Sequence, residues 1–95
     1  MARVDYSAAA RADLIRLVDF LVRAGADPAR MVDDVTHAME ALVRHPKIGR
    51  PLDSGLRELV ISYGASGYLA LYDYSPVYDD VLILRIRHQR EEDYH

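Results

Sequence analysis

The hydrophobic pattern of the chain changes period near its middle, from the spacing of helices to the alternation of strands. In the first half, apolar residues recur every three or four positions in two blocks. The first block follows Ser7, a good helix N-cap, and ends at Gly25, a residue that easily takes the left-handed conformation closing a helix. The second begins at Asp27-Pro28 and ends at His45-Pro46, because the residue before a proline is biased away from helical dihedrals. The pattern predicts two helices with a short link, which should pack as an antiparallel hairpin.

Period-two patterns, typical of strands, flank the two helices. A short alternating stretch at Arg3–Tyr6 precedes them and predicts an edge strand. After a predicted loop at Pro46–Gly55, three further strands are predicted at Leu56–Ser62, Tyr68–Tyr74 and Val81–Arg90. Turn residues separate these three, so we expect an antiparallel meander. The predicted fold is α+β with the order β-α-α-β-β-β, a small antiparallel sheet with the helical hairpin packed on one face.

The last predicted strand is the most apolar stretch of the chain and becomes basic toward its end. Val81–Leu84 is continuously apolar, as in a central strand buried on both faces. Arg85, Arg87, His88 and Arg90 follow within six positions. The most rigid part of the fold is therefore predicted to present a basic cluster.

Alternation divides the side chains of this strand between the two faces of the sheet. One face carries a mostly apolar set, Leu82, Leu84, Ile86 and His88. The other face carries Ile83, Arg85 and Arg87. We expect the first set to face the helices and the arginine set to lie on the open face. A bulge near the end of the strand would move His88 to the other side.

Length and composition narrow the class of protein. The 95 residues predict a single domain over residues 1–95, and 51% hydrophobic with 28% charged residues is typical of a globular chain. The net charge of -3 argues against a protein that coats nucleic acid through many basic residues. No apolar run approaches the roughly 20 residues of a membrane span, and no signal peptide is evident, so we expect a cytoplasmic protein.

Metal and cofactor chemistry is not predicted. The absence of cysteine excludes disulfides, thiolate zinc sites and thiol nucleophiles. Of the four histidines, His37 and His45 share the second helix at a spacing that does not align on one face. Acidic residues do not recur at ligand spacing beside them. We therefore expect no metal ion and no cofactor.

Several stretches, in their order and spacing, resemble the RelE/ParE toxin superfamily. They are His45–Pro51 after the helix end, the strand at Gly55–Leu59, the strand at Gly67–Tyr72, and the ending Ile83–Tyr94. The resemblance covers essentially the whole chain. It implies the toxin of a type II toxin-antitoxin module, with a cognate antitoxin that wraps and neutralises it. We expect the antitoxin to cover an exposed apolar groove, with the first helix and the sheet edge near Val4 as candidate walls.

The superfamily implies two activities, and the residues favour one of them. RelE-like members cut messenger RNA in the ribosomal A site, and ParE-like members inhibit DNA gyrase. On the ribonuclease reading, the resemblance makes His88, Arg90 and Tyr94 the candidate catalytic residues. However, Leu69 stands where the ribonuclease branch has an arginine, and one lost phosphate clamp could cost a factor of hundreds in rate. The first hypothesis is therefore a ParE-like gyrase inhibitor without catalysis, and the alternative is a RelE-like endoribonuclease acting on the ribosome and messenger RNA.

On the ParE-like reading, arginines are the candidate target-binding residues, since their planar guanidinium groups suit bidentate contacts to phosphate or carboxylate. They are Arg57, Arg85, Arg87 and Arg90. The competing interpretation is that these side chains form ion pairs within the sheet. His88 is equally open to two readings, as an acid-base residue or as a strand-end histidine bonded to backbone.

Overall fold

A computed structural model describes residues 1–62 and 67–90 of the chain. Its elements are β1 (Arg3–Tyr6), α1 (Ala8–Arg23), α2 (Ala29–Arg44), β2 (Arg50–Pro51), β3 (Arg57–Val60), β4 (Tyr68–Ser75) and β5 (Asp80–His88). The strands form one sheet in the order β1-β5-β4-β3-β2. The predicted α+β fold and the order of its elements are confirmed. Two details differ, because β1 pairs in parallel with β5 and the predicted loop contains the short strand β2.

The predicted helix ends are confirmed by their hydrogen bonds. The Ser7 hydroxyl accepts the N–H of Ala10 at 3.0 Å, which caps the start of α1. Gly25 takes a φ of +76° just after the end of α1, in the left-handed region that favours glycine. At the start of α2 the Asp27 carboxylate accepts the N–H of Ala29 at 3.0 Å, and the helix begins at Ala29 with Pro28 as its N-cap, one residue later than predicted.

The core lies between the helical hairpin and one face of the sheet. Its largest fully buried side chains come from the last turn of α2, from β4 and from β5: Tyr72, Leu42, Ile83, Ile86 and Val81. Val4 and Tyr6 of β1 and Leu59 of β3 pack against its margin. β5 lies between β1 and β4, but β1 pairs only with Asp80–Ile83, so the end of β5 is held by its pairing with β4.

The predicted facing of β5 was wrong for its first half, because the strand contains a β-bulge. Ile83 lies opposite Tyr72 while Arg85 lies opposite Leu71, so Leu84 is an extra residue between them. Ile83 is fully buried in the core, whereas Leu82, expected to face the helices, is 41% exposed. The core cluster includes Ile83 and Ile86 but neither Leu82 nor Leu84. Beyond the bulge, Ile86 and His88 face the helices as expected.

Candidate functional site

The basic end of β5 brings three of the predicted site residues together. His88 lies opposite Tyr68 on β4, and their rings meet edge to face with centroids 5.3 Å apart. The Nδ1 atom of His88 accepts the backbone N–H of Arg90 at 3.1 Å. A ring nitrogen that accepts a hydrogen bond carries no proton, so the neutral ring holds its proton on Nε2. Arg90 itself is exposed.

Arg87 leaves the strand on the opposite face from His88. It lies across from Leu69 of β4, and its Nη1 atom donates to the carbonyl oxygen of His88 at 3.3 Å. Next to it, the Gln89 side chain donates to the Ser62 carbonyl at 2.7 Å, and the Gln89 N–H donates to the Gly67 carbonyl at 2.9 Å. These bonds fix the end of β5 to the neighbouring hairpin.

Arg85, predicted to lie on the open face, is bound to helix α1. Its Nε and Nη2 atoms donate to the two carboxylate oxygens of Asp13 at 2.8 and 3.0 Å. The same carboxylate accepts the backbone N–H of Ile86 at 2.9 Å. Such a bidentate pair holds both side chains in one geometry. The assignment of Arg85 to the open face was therefore wrong, because its guanidinium group is directed to α1.

The surroundings of Asp13 favour its ionised form. Burial of the carboxyl group opposes ionisation, but the hydrogen bonds from Arg85 and Ile86 and the positive charges of Arg85 and Arg16 outweigh it. Together they hold the pKa of Asp13 below its ordinary value. The result is a buried, charged pair between the helix and the central strand.

Arg57, the fourth predicted target-binding residue, holds the loop before β2. Its Nη1 atom donates to the carbonyl oxygens of Lys47 and Gly49 at 3.0 and 2.8 Å. The structure thus gives Arg57 and Arg85 partners within the fold, and places Arg87 and Arg90 on either side of His88. Tyr94, the remaining predicted catalytic residue, lies outside the described residues.

Asp13 is the important residue that sequence reasoning missed. It occupies a position of the α1 stripe between the buried residues Ala10 and Leu17, and only 4% of its surface is exposed. An acidic residue at a core position of an amphipathic helix is costly unless it is paired, and that was the available signal. Its partner on β5 is 72 positions away in the sequence, so periodicity alone could not identify it.

The residue predicted to separate the two activities is buried in the sheet. Leu69 is 8% exposed and lies between Val60 of β3 and Arg87 of β5. Its aliphatic side chain therefore borders the face on which Arg87 emerges. This position offers a contact surface for Arg87 but no second cation.

Helix α1 also leaves large apolar side chains exposed to solvent. Ile15 and Val22 are 71% and 56% exposed and, being seven positions apart, lie along one line of the helix. Phe20 on a flank of the same helix is 68% exposed. Surface residues of this kind that follow one helix are typical of a protein-binding face.

Two kinds of feature are not found in the described part of the chain. Among residues 1–62 and 67–90, no three His, Asp or Glu side chains are placed to hold a metal ion. None of the helices in those residues is both long and apolar enough to cross a membrane.

Comparisons with known proteins place these features in a family. The profile of a family described as the ParE toxin of the type II toxin-antitoxin system parDE matches residues 4–93. Toxin RelE3 of Caulobacter vibrioides is 38% identical over 92 residues, covering 96% of this chain and 98% of that protein. A chain in the crystal structure of the toxin-antitoxin complex RelBE2 from Mycobacterium tuberculosis is 26% identical, with a TM-score of 0.68 over 93% of this chain and 98% of that one.

A more distant structure shares the fold alone. A metal-bound toxin from Helicobacter pylori is 16% identical and superimposes with a TM-score of 0.53 over 98% of this chain and 100% of that chain.

Proposed function

Since the chain belongs to the ParE toxin family of type II toxin-antitoxin systems, we propose that it inhibits growth by binding DNA gyrase, through contact and not through catalysis. The observation that carries this proposal is the sparse chemistry around the end of β5. A ribonuclease without a metal needs several groups to move protons and to stabilise a pentavalent phosphorane. Here Leu69 supplies an aliphatic surface, and the guanidinium groups of Arg57 and Arg85 are bound within the fold.

The proposed contact surface is the end of β5, where Arg87 lies on one face of the sheet, His88 lies on the other, and Arg90 follows them. Arg90 is exposed and Arg87 is half-buried beside the apolar Leu69, a combination of charge and apolar surface that suits an acidic protein partner. In this proposal Arg57 and Arg85 do not touch the target. They hold the loop and the strand from which the contacting residues project.

Reversing the charge at Arg90 is expected to weaken gyrase inhibition. In a supercoiling assay with purified gyrase, Arg90→Glu should raise the half-inhibitory toxin concentration by about tenfold or more, because complementary charge governs such encounters. Arg30→Glu, which reverses another exposed arginine at the start of α2, is the matched control and should inhibit like the wild type. An intact supercoiling activity in the presence of excess wild-type toxin would refute gyrase as the target.

A ribonuclease activity is the second candidate, and one observation favours it. The hydrogen bond from the Arg90 N–H to Nδ1 fixes the orientation of the His88 ring, and histidine is the residue type that most often transfers protons in such reactions. Arg90 lies two positions after His88 and fits the basic cluster that the RelE-like resemblance implies. Primer extension on translated messenger RNA tests this activity: cleavage by the wild type that His88→Ala abolishes would support it, and identical uncut patterns would exclude it.

We also propose that a cognate antitoxin covers the outer face of α1. A relative of this chain has been solved as a toxin-antitoxin complex, and α1 presents Ile15 and Val22 on one exposed line. An amphipathic antitoxin helix would bury these side chains, as in other complexes of a helix with an apolar surface.

Introducing a charge on this face is expected to separate neutralisation from toxicity. Ile15→Asp should weaken antitoxin binding by about tenfold or more, since it buries an unpaired carboxylate at the interface. Calorimetry with the purified antitoxin measures the affinity, and toxicity in cells should remain. Val77→Asp is the control, because Val77 is 85% exposed in the turn between β4 and β5. Equal affinities for Ile15→Asp and the wild type would place the antitoxin elsewhere.

A further inference from the structure

The backbone groups that the bulge in β5 leaves without strand partners form hydrogen bonds with polar side chains in the first half of helix α1 and at its N-cap. A bulge interrupts the hydrogen bonds between neighbouring strands and leaves backbone groups that need other partners. The carbonyl of the extra residue, Leu84, accepts the Ser7 hydroxyl at 2.8 Å. The N–H of Ile86 donates to the Asp13 carboxylate at 2.9 Å. The helix therefore supplies one donor and one acceptor to the interrupted strand.

The bulge decides on which face the end of β5 presents its side chains. Ile83 faces the helices, and unbroken alternation from Ile83 would turn Arg85 and Arg87 toward the helices and His88 away from them. The extra residue reverses this order for Arg87 and His88, while the Arg85 guanidinium group still reaches Asp13 on α1. His88 instead meets Tyr68 on the helix side, and Arg87 lies on the opposite face across from Leu69.

Asp13 is a charged residue at a position of α1 where packing alone would need only an apolar side chain. Among the described residues, Asp13 is the one charged side chain that is buried in the core. Both of its carboxylate oxygens accept hydrogen bonds from β5, from the Arg85 side chain and the Ile86 N–H. An apolar residue would fill the same position of the α1 stripe without the cost of burying a charge. What an apolar residue cannot supply is an acceptor for the Ile86 N–H.

We propose that Asp13 is a positioning residue: by accepting the Ile86 N–H it maintains the bulge, and the bulge sets the facing of Arg87 and His88. This inference rests on the proposed function in so far as those residues contact the target. It assigns Asp13 no contact with the target itself.

The test uses Asp13→Leu, with Asp13→Asn as the conservative variant that retains an acceptor oxygen. Nuclear Overhauser contacts between the rings of His88 and Tyr68 report the facing beyond the bulge, and contacts between Tyr74 and Val81 report the pairing before it. We expect Asp13→Leu to lose the first set and keep the second. Asp13→Asn should keep both sets.

Toxicity in cells is the second measurement, and it does not depend on which target is correct. Asp13→Leu should lower toxicity per folded molecule by about tenfold or more, as expected when contacting charges are displaced, and Asp13→Asn should restore most of it. Tyr72→Phe is the control for a purely structural loss, because it removes buried hydrogen bonds to Gly49 and Pro46 and leaves the bonds of Ser7 and Asp13 to the bulge unchanged. If Asp13→Leu does not fold alone, Asp13→Leu/Arg85→Leu removes the unpaired cation and serves instead.

Two results would overturn the positioning role. One is persistence of the His88 to Tyr68 contacts in the leucine variant. The other is an equal loss of toxicity in Tyr72→Phe, which would show that lower stability alone accounts for the effect. Failure of the wild type to inhibit gyrase would refute the proposed target but would leave both of these comparisons intact.

Discussion

Replacing Arg85 by methionine is expected to lower the free energy of unfolding by about 2–4 kcal/mol, a little less than the roughly 3–5 kcal/mol for removing one member of a buried ion pair. The substitution keeps the apolar stem of the side chain but leaves the Asp13 carboxylate, 5% exposed, without its bidentate partner. The loss is somewhat smaller than for a fully buried pair, since the Arg85 side chain is 26% exposed. A small domain has only roughly 5–15 kcal/mol of stability, so the variant should unfold at much lower urea concentration.

The pH dependence of this loss follows from the sign of the Asp13 shift. In the wild type the pKa of Asp13 is below its ordinary value, so its contribution to stability is complete above about pH 4 and is lost as the pH falls through the folded-state pKa. Without Arg85, burial of the carboxyl group opposes ionisation with less compensation. The difference in stability between the wild type and Arg85→Met should therefore shrink as the pH is lowered from 7 through the ordinary range of a carboxyl group, and it should shrink further as the pH falls through the folded-state pKa of Asp13 in the wild type.

Arg16→Met is the matched control for this experiment. Arg16 also approaches Asp13, but its Nη2 atom is 3.8 Å from the carboxylate and its side chain is 43% exposed. An exposed pair of this kind contributes about 0–1 kcal/mol. Urea unfolding of the three proteins at several pH values measures the effect. Equal losses for the two variants, or a loss for Arg85→Met that does not change with pH, would contradict the ion-pair explanation.

The helices could be predicted from the sequence because their boundaries depend on neighbouring residues. Ser7, Gly25 and Asp27 act on backbone groups within three positions of themselves, and each forms the bond or conformation that its residue type predicts. The antiparallel meander of β3, β4 and β5 could be predicted for a similar reason, since turn residues between consecutive strands favour pairing of neighbours.

The facing of β5 could not be predicted because it depends on a contact distant in sequence. Alternation from Val81 predicts one set of buried residues, and the bulge at Leu84 changes that set. The bulge is satisfied by Ser7 and Asp13, which lie 77 and 73 positions from their partners. Hydrophobic periodicity contains no information on hydrogen bonds of this separation.

The sequence also could not show which of the candidate arginines are bound within the fold, because their partners are distant in the sequence. Arg57, Arg85, Arg87 and Arg90 are equivalent as residue types, and each was predicted to bind a target. The structure separates them by where they bind: Arg57 binds the carbonyls of a loop and Arg85 binds Asp13 on α1, whereas Arg87 donates to the His88 carbonyl at the end of β5. The remaining two accompany His88, and the proposed contact surface is correspondingly smaller than the predicted one.

The loop bound by Arg57 is also the site of the second large effect, expected for Gly49→Ala. A Cβ atom at position 49 would lie 2.6 Å from the ring and hydroxyl of Tyr72, closer than real contacts allow. The Tyr72 side chain is fully buried, and its hydroxyl donates to the Pro46 carbonyl at 2.8 Å and accepts the Gly49 N–H at 2.9 Å. Because the ring cannot move without breaking these bonds, we expect a loss of about 2–4 kcal/mol in the free energy of unfolding.

Combining Gly49→Ala with Tyr72→Phe in a double variant shows whether contact with Tyr72 causes the loss of stability in Gly49→Ala. Removing the hydroxyl alone should cost about 1–2 kcal/mol, but it also removes one of the atoms that the new Cβ would meet. The double variant should therefore lose less stability than the sum of the single variants. Gly55→Ala is the control, since Gly55 has a φ of +87° and open space around it. The stability lost in Gly55→Ala comes from backbone strain and should add fully to the loss in Tyr72→Phe. Full additivity for Gly49→Ala as well would show that contact with Tyr72 is not the reason this position is glycine.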